Sequence, residues 1–202
     1  MYNPHDHYSQ KAKRESYAAR SVYKLMEINN RYNIIKQGQR ILDLGCCPGS
    51  WTQYCLQQIK NNGIVVSIDL NPMEIKYKKL KTDPKTHIFI QADFSAKETK
   101  EMINAYKPFH VILSDMAPKT SGNRLTDTVR SMELVQNAYQ FACDSLKNNG
   151  SFIAKVFQSQ EERKLFEAAK KSFRFVKTYK PKATRKQSNE IYFIFQNYKQ
   201  NN

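Results

Sequence analysis

A chain of 202 residues with 40% hydrophobic residues can bury the core of one ordinary domain, and this composition excludes a disordered protein. No apolar run approaches the roughly 20 residues of a membrane helix, and the N-terminus MYNPHDHYSQKAKRE lacks the apolar stretch of a secretory signal. Lysine and arginine total 33 against 18 aspartate and glutamate residues, and the net charge of +15 favours a polyanionic partner, most simply nucleic acid.

Seven segments have the composition of buried strands, and helical patterns separate most of them. In chain order the strand segments are 40–45, 63–70, 86–94, 110–116, 150–157, 174–181 and 190–198, and the helical segments are 20–30, 50–60, 72–80, 97–105, 130–147 and 160–172. This alternation predicts an α/β domain with a mostly parallel seven-stranded sheet and helices on both faces. Residues 181–189 are too few for a crossover helix, so the last two strands should form an antiparallel hairpin at one end of the sheet.

The basic residues are concentrated near the two ends of the chain. They are Lys11, Lys13, Arg14, Arg20 and Lys24 in the first part, and Arg163, Lys164, Lys170, Lys171, Arg174, Lys177, Lys180, Lys182, Arg185 and Lys186 in the last quarter. A general bias towards lysine would not produce this clustering, which therefore strengthens the case for nucleic acid. The chain has no internal repeat and no linker rich in Pro, Gly or Ser, so we expect one domain spanning 1–202.

The cysteines do not have the spacing of a metal site. They are Cys46, Cys47, Cys55 and Cys143, without a C-x-x-C pair or a histidine at zinc-finger distance. Nothing in the sequence demands disulfides either. We therefore expect no metal and an intracellular, reducing compartment, with cytosol, nucleolus and organelle left open.

An aspartate stands at or near the end of four consecutive predicted strands. These residues are Asp43, Asp69, Asp93 and Asp115. Each alone is more often a helix cap or a turn residue, but in parallel sheets ligands bind beyond the carboxyl ends of the strands. Their common position indicates a ligand with hydroxyl, amino or cationic groups. Asp69 is suited to ribose hydroxyls, and Asp93 is suited to an adenine amino group.

The segment LDLGCCPGSW (42–51) has the pattern of a strand, a glycine turn and the start of a helix. Gly45 and Gly49 allow the backbone to approach a neighbour closely. Their G-x-x-x-G spacing differs from the G-x-G-x-x-G dinucleotide fingerprint, which argues against pyrophosphate binding and a nicotinamide oxidoreductase. Taken alone, the segment is explained equally well as an ordinary tight turn.

The segment GSFIAKVFQ (150–158) places a lysine in the middle of an apolar strand. Lysine is almost never fully buried unless another group pairs with it. Lys155 therefore requires a partner or a chemical role that another part of the chain supplies.

Five short motifs follow one another along the chain. They are RSVYKL (20–25), DLGCCPGSW (43–51), SDMAP (114–118), KVFQ (155–158) and SNEIY (188–192). In this order and spacing they resemble the FtsJ/RrmJ family of S-adenosylmethionine-dependent ribose 2′-O-methyltransferases, over nearly the whole chain. The resemblance implies a class I methyltransferase fold, which is Rossmann-like, with S-adenosylmethionine as cofactor and S-adenosylhomocysteine as product.

The resemblance also assigns site residues. The catalytic tetrad of the family falls on Lys24, Asp115, Lys155 and Glu190, and the matching cofactor-binding residues are Gly49, Trp51, Asp69, Asp93 and Asp115. Taken singly, Lys24 reads as a solvated helix lysine and Glu190 as a partner of a nearby basic residue. Whether Lys155 accepts the hydroxyl proton or only orients the hydroxyl stays open.

The sequence departs from the family pattern in two places. Cys46 and Cys47 replace the usual pair of alanines, and Ser50 stands where bacterial members usually have glycine. These changes are small in volume and should be tolerated. Residues 71–86 form a longer segment than the corresponding one in bacterial members, so the resemblance does not fix its path.

The implied reaction is methylation of an RNA ribose, and SDMAPKTSGNRLTD resembles the large-subunit ribosomal RNA branch more than the tRNA branch. Residues 1–38 would form a basic N-terminal helical extension that contributes to RNA binding and catalysis. Tyr17, Tyr23 and Tyr179 would stack on unpaired bases. We expect RNA in a large ribosomal subunit as the partner, no membrane, and a monomer. The alternatives are a tRNA 2′-O-methyltransferase and a catalytically silent RNA-binding module.

Overall fold

The computed structural model of the protein describes residues 7–118, 122, 124–158, 160–185 and 187–200. Its strands are β1 (Arg40–Leu44), β2 (Ile64–Asp69), β3 (His87–Gln91), β4 (Phe109–Ser114), β5 (Leu146–Phe157), β6 (Phe173–Tyr179) and β7 (Glu190–Tyr198). Its helices are α1 (His7–Arg14), α2 (Val22–Tyr32), α3 (Ser50–Ile59), α4 (Tyr77–Leu80), α5 (Lys97–Asn104), α6 (Arg124–Ser145) and α7 (Gln160–Ser172), with 3₁₀ turns at Lys60–Asn62 and Pro84–Thr86. No helix in these ranges is long and apolar enough to cross a bilayer.

All seven strands belong to one sheet with the order β3-β2-β1-β4-β5-β7-β6. The pairs among β1 to β5 are parallel, and β7 is antiparallel to both β5 and β6. The predicted mostly parallel sheet with an antiparallel hairpin at one end is therefore confirmed. The last strand in sequence lies between β5 and β6, so the hairpin joins the parallel strands through β7.

Helices cover both faces of the sheet because buried strand residues alternate between them. On β1, Leu42 and Leu44 belong to the core that α5, α6 and α7 cover. Ile41, the residue directly before Leu42, belongs to the core on the opposite face, which α2 and α3 cover. This second face carries the catalytic candidates, since α2 supplies Lys24.

The segment 72–80 differs most from the prediction. Only Tyr77–Leu80 is helical, whereas the preceding residues are irregular. Pro72 has no N–H to donate to a helix. Met73 and Ile75 instead pack against the turn at Gly49, where an added Cβ would lie 2.7 Å from Met73 Sδ and 3.1 Å from Ile75 Cδ1. The packing of Met73 and Ile75 against the glycine turn thus determines the conformation of this segment, in place of the helix that the sequence pattern predicted.

Two other boundaries also differ from the prediction. Helix α1 was not among the predicted helical segments, because Ala12 is its one buried residue and gives no apolar stripe. Strand β5 begins at Leu146, within the predicted helix 130–147, and its first residue pairs with Phe109 before a register shift. Helix α6 correspondingly ends at Ser145.

Candidate active site

A cavity of about 490 Å³ opens at the carboxyl ends of the parallel strands. It is bounded by the turn after β1 (Gly45, Cys47 and Pro48), by residues following β2 (Asp69–Asn71), β3 (Ala92–Ser95) and β4 (Asp115–Ala117), and by Ser21, Leu134 and Lys155. Asp69, Asp93 and Asp115 thus share one cavity, as expected from their positions after three strands. In the part of the chain that the structure describes, no group of three or more His, Cys, Asp or Glu side chains is placed to hold a metal ion.

The turn after β1 approaches the end of β4 too closely for any side chain. Gly45 has φ +72°, and a Cβ there would lie 2.7 to 2.9 Å from atoms of Met116, including its backbone Cα and N. Only glycine satisfies both the left-handed backbone and the missing space. The turn therefore presents bare backbone to the cavity.

Backbone amides fix the two carboxylates nearest the opening of the cavity. Cys47 N–H donates to Asp69 Oδ2 at 2.9 Å, and Asn71 N–H donates to Asp69 Oδ1 at 2.8 Å. Ser95 N–H donates to Asp93 Oδ1 at 2.8 Å. Each carboxylate retains acceptor capacity on the cavity side, since a carboxylate offers about four lone-pair sites.

Gly49 and Trp51 lie behind the cavity wall instead of lining it. Gly49, with φ +103°, directly precedes helix α3 and receives the packing of Met73. The Trp51 indole is 2% exposed, donates from Nε1 to the Ser21 carbonyl at 2.9 Å, and packs 5.8 Å from the Tyr192 ring. Their contacts hold the segment before α2 against α3, which places Ser21 at the cavity edge.

One ion pair lines the cavity, and a second ion pair lies near it. Lys155 Nζ lies 3.1 Å from Asp115 Oδ1 and also donates to the Asp115 carbonyl oxygen at 2.6 Å. Lys24 Nζ forms the second pair with Glu190 Oε1, and both side chains are 14% exposed. The burial of Lys155 is therefore compensated by two acceptors of one residue.

Sheet register explains why four distant segments meet here. Lys155 pairs with Tyr192, and Phe157 pairs with Glu190, across the antiparallel β5–β7 ladder. Side chains two residues apart on a strand share a face. Lys155, Tyr192 and Glu190 therefore face the same side of the sheet, which α2 covers with Lys24.

Tyr192 contacts both pairs and was not among the predicted site residues. Its hydroxyl donates to Asp115 Oδ1 at 3.1 Å, and Lys24 Nζ lies 5.9 Å from its ring centroid. Burial, and then the negative charge of Asp115, raise the pKa of Tyr192 well above its ordinary value, so the hydroxyl remains a donor. The signal was available in SNEIY, where Tyr192 lies two residues after Glu190 and shares its face.

A buried hydrogen-bond chain supports the floor of the glycine turn. The Thr52 hydroxyl donates to Asp43 Oδ2 at 2.7 Å and lies 2.9 Å from Ser67 Oγ. His87 Nε2 lies 3.1 Å from Ser67 Oγ, and His87 Nδ1 lies 2.7 Å from the Tyr77 hydroxyl. Burial raises the pKa of Asp43 to about 7. The hydrogen bond from Thr52 lowers this pKa, and the negative charges of Asp115 and Asp69 raise it. Burial lowers the pKa of His87 to about 4.

One part of the C-terminal basic segment, the loop after β6, meets the N-terminal basic segment beside helix α2. Arg20 Nη2 donates to the Ala183 carbonyl at 2.5 Å, and Lys182 N–H donates to Glu27 Oε2 at 2.9 Å. The Tyr179 hydroxyl also donates to Glu27. These contacts anchor the basic loop after β6 to the N-terminal part of the chain, although Lys186 itself lies outside the described residues.

The predicted stacking role of Tyr23 is wrong. Tyr23 is 5% exposed, its hydroxyl donates to Glu15 Oε2 at 2.9 Å, and Lys11 Nζ lies 4.6 Å from its ring centroid. A base has no access to that ring. Tyr17 and Tyr179 remain partly exposed.

The fold and the site together define a class of protein. The sheet order and the acidic cavity are those of a Rossmann-like methyltransferase. A solved structure described as a ribosomal RNA methyltransferase from Plasmodium falciparum is similar with a TM-score of 0.74 and 30% identity, covering 90% of this chain and 98% of that one. An rRNA methylase from Clostridium thermocellum, 16% identical with a TM-score of 0.58, shares the fold.

Residues 17–198 match the FtsJ-like methyltransferase family, and the chain belongs to this family. Ribosomal RNA large subunit methyltransferase E of Syntrophobacter fumaroxidans is 44% identical over 194 residues, which are 96% of this chain and 95% of the relative. The enzyme of the same name from Bdellovibrio bacteriovorus is 43% identical over 196 residues, with 96% of each chain covered. The protein is therefore an S-adenosylmethionine-dependent RNA methyltransferase, and 2′-O-methylation of ribosomal RNA is the family activity.

The cavity fits the cofactor of this family. Its volume of about 490 Å³ lies in the range of small-molecule sites, about 300 to 1,000 Å³. Asp69, Asp93 and Asp115 line it with three carboxylates, which are acceptors suited to hydroxyl, amino and cationic groups. Gly45 lines the same cavity without a side chain and lets the turn pack against Met116.

Proposed function

We propose that the protein methylates a ribose 2′-hydroxyl of ribosomal RNA within the large ribosomal subunit, with Lys24, Asp115, Lys155 and Glu190 as the catalytic residues. The observation that carries the proposal is the convergence of two partly buried ion pairs, of which one lines the cavity and the other is joined to it through Tyr192. Partly buried lysine–carboxylate pairs serve structure as often as chemistry. Here both pairs stand at the same edge of the sheet: Asp115 follows β4, Lys155 lies near the carboxyl end of β5, and Glu190 begins the antiparallel strand β7.

The cofactor-binding roles follow from position. Asp69 would accept bonds from ribose hydroxyls of the cofactor, and Asp93 from its adenine amino group. Gly49 and Trp51 would act from behind, because they hold the turn and the segment at Ser21 in place. The bound cofactor supplies the transferable methyl group.

The protein contributes orientation and charge to the transfer. Lys155, held by Asp115, would direct a lone pair of the RNA 2′-hydroxyl at the methyl carbon. The hydroxyl proton leaves as the new bond forms, and Lys155 is the nearest group to receive it or to stabilise the developing oxyanion. Lys24 and Glu190 would hold the ribose and keep the neighbouring charges balanced.

The basic ends would bind the RNA backbone around this site. Arg20 and Lys182 are joined to the same region of α2 through Ala183 and Glu27, so their charges lie on one connected surface. Phosphate contacts position RNA without reading its sequence. Tyr17 and Tyr179 would stack on unpaired bases. We propose that residues 1–38 act as part of this surface within a single domain, and that the protein works as an intracellular monomer.

The deciding experiment measures methyl transfer from labelled S-adenosylmethionine to large ribosomal subunits isolated from cells lacking the protein, with tRNA from the same cells alongside. We expect incorporation into the subunit RNA, at a single 2′-hydroxyl in a nuclease map. Lys155→Ala should lower kcat by about 10²- to 10⁴-fold because it removes the orienting or proton-accepting group. The affinity of the Lys155→Ala variant for S-adenosylmethionine should equal that of the wild type.

Lys147→Ala, at an exposed position near the start of the same strand β5, is the matched control and should retain full activity. Labelling of tRNA instead of the subunit would place the protein in the tRNA branch. Full activity of Lys155→Ala would contradict the catalytic assignment, and absence of methylation with intact RNA binding would support a silent binding module.

A further inference from the structure

A second concave surface lies close to the cofactor cavity. We call it the lysine groove: about 290 Å³ between the N-terminal segment, helix α3 and the segment leading into α4, with Lys13, Tyr17, Gln53, Glu74, Lys76 and Lys79 among its lining residues. Neither the catalytic tetrad nor the cofactor site uses any of these side chains.

The groove carries an excess of positive charge. Lys13, Lys76 and Lys79 are exposed, and Glu74 is the one carboxylate among the lining residues. Within the described part of the chain, none of these three lysines forms an ion pair. The sequence continues the basic character with Lys81 and Lys85. Uncompensated like charges facing one concavity favour a polyanion.

Both walls of the groove are held in place. Gln53 Oε1 accepts from Ala18 N–H at 2.8 Å, and the Tyr17 hydroxyl donates to Gln57 Oε1 at 2.6 Å, so α3 anchors the N-terminal wall. The opposite wall is anchored to the sheet through Tyr77, whose hydroxyl lies 2.7 Å from His87 Nδ1. A groove that is already formed loses little free energy to ordering when it binds.

The groove is continuous with the active site along the chain. Ala18 lines the groove and Ser21 lines the cofactor cavity, so at most about 11 Å separates their Cα atoms. Asn71 and Glu74 make the same connection on the other wall, again across three residues. A strand of RNA with its ribose at Lys155 therefore passes within reach of the groove.

We propose that the lysine groove binds the sugar-phosphate backbone of the substrate RNA, so that Lys76 and Lys79 extend the contact surface of the N-terminal basic end. Lys76 and Lys79 neutralise phosphates from one wall and Lys13 from the other, while the Tyr17 ring lies where a neighbouring base can stack. This inference rests on the proposed function only in taking RNA as the substrate.

The test compares two double variants that remove the same charge. Lys76→Gln with Lys79→Gln changes the groove, and Lys97→Gln with Lys147→Gln changes two exposed lysines outside the groove, at the starts of α5 and β5. The affinity of each protein for transcribed large-subunit ribosomal RNA is measured across a series of salt concentrations. Kinetics with isolated large subunits give KM and kcat.

We expect the groove variant to lose about 1.4 to 1.8 from the slope of log K against log salt, because each phosphate contact contributes about 0.7 to 0.9. KM for the subunits should rise while kcat and S-adenosylhomocysteine affinity stay at wild-type values. The control pair should have the wild-type slope. Lys76→Arg with Lys79→Arg keeps both positive charges and should therefore also have the wild-type slope.

Three results would overturn the proposal: a groove variant with the wild-type slope, an equal loss in the control pair, or a loss confined to assembled subunits with naked RNA bound normally. The last result would assign the groove to a ribosomal protein. Failure of the wild type to methylate ribosomal RNA would count against the proposed function alone, since the binding series is judged without catalysis.

Discussion

Lys155 is held inside the sheet by a single residue, which supplies both a carboxylate and a backbone carbonyl oxygen to its ammonium group. The sequence alone revealed the misfit of a lysine in an apolar strand. The residue pattern alone did not identify the partner, because forty residues separate the two, and only the family resemblance placed Asp115 in the same tetrad. That partner follows from strand order, since β4 and β5 are parallel neighbours and Asp115 directly follows β4.

Asp43 is the residue whose ionisation should leave the clearest mark on stability. Its pKa is raised to about 7 in the folded protein from an ordinary value of 3.8. Between these values the unfolded chain has released a proton that the native state still holds, so stability falls as pH rises from about 4 to about 7. Above pH 7 the penalty is complete, and below pH 4 it is absent.

Asp43→Asn should therefore flatten the pH dependence of unfolding across this window. Its free energy of unfolding relative to wild type should improve with rising pH, by up to about 4 kcal/mol for a shift of roughly three pH units. Urea unfolding at pH 4, 5.5 and 7.5 measures the trend. Asp144→Asn changes an exposed carboxylate and is the control, so its free energy of unfolding should follow the pH dependence of the wild type. If the free energy of unfolding of Asp43→Asn also followed that of the wild type, Asp43 would keep its ordinary ionisation.

At the level of elements, the turn between β1 and α3 is the tightest junction of the site. Gly45 combines φ +72° with a Cβ position 2.8 Å from the Cα of Met116, after β4. Gly122 offers a matched control, because it also has a positive φ of +82° but nothing within 4 Å of its Cβ position. The pair separates backbone strain from a steric clash.

Gly45→Ala should destabilise the protein by about 3 kcal/mol, since strain and overpacking each cost about 1 to 3 kcal/mol. Gly122→Ala should cost about 1 kcal/mol through strain alone. Denaturant unfolding gives both values, and calorimetry with S-adenosylhomocysteine should show weaker binding for Gly45→Ala only. Equal losses in the two variants would indicate that the turn has room to move away from Met116.

Elements were predicted well where one face or both faces of a segment are buried, and poorly where packing on a neighbour decided the conformation. Residues 190–198 form a strand with the predicted bounds because five consecutive buried residues leave little choice. Residues 72–80 read as a helix, yet the turn at Gly49 draws Met73 and Ile75 out of helical geometry. No local pattern records that contact.

At the scale of the whole molecule, the basic ends of the chain converge although about 160 residues lie between them in sequence. Arg20 contacts Ala183, and Glu27 contacts Lys182 at a separation of 155 residues. The sequence showed the clustering of charge at both ends. The fold shows which part of the C-terminal cluster meets the N-terminal one: the loop between β6 and β7 packs beside α2, whereas helix α7 covers the opposite face of the sheet.

A connected basic surface predicts a steep salt dependence of RNA binding. Contacts to 6–10 phosphates would lower affinity by about 10³- to 10⁵-fold between 50 and 200 mM salt. Filter binding of ribosomal RNA across that range gives the slope, while S-adenosylhomocysteine affinity should barely change over the same series. A flat plot of log K against log salt would mean that phosphates are not the main contact.

The position of β7 has a consequence for how the protein is made. Domains begin to fold from the N-terminal side during synthesis. Here the strand that emerges after the other six must insert between β5 and β6, and it carries Glu190 and Tyr192. Until then β5 has a free edge, Lys24 has no carboxylate partner and Asp115 lacks its tyrosine donor. Every residue that lines the cofactor cavity therefore precedes β7 in the chain, whereas the candidate catalytic site is complete only when β7 has been added.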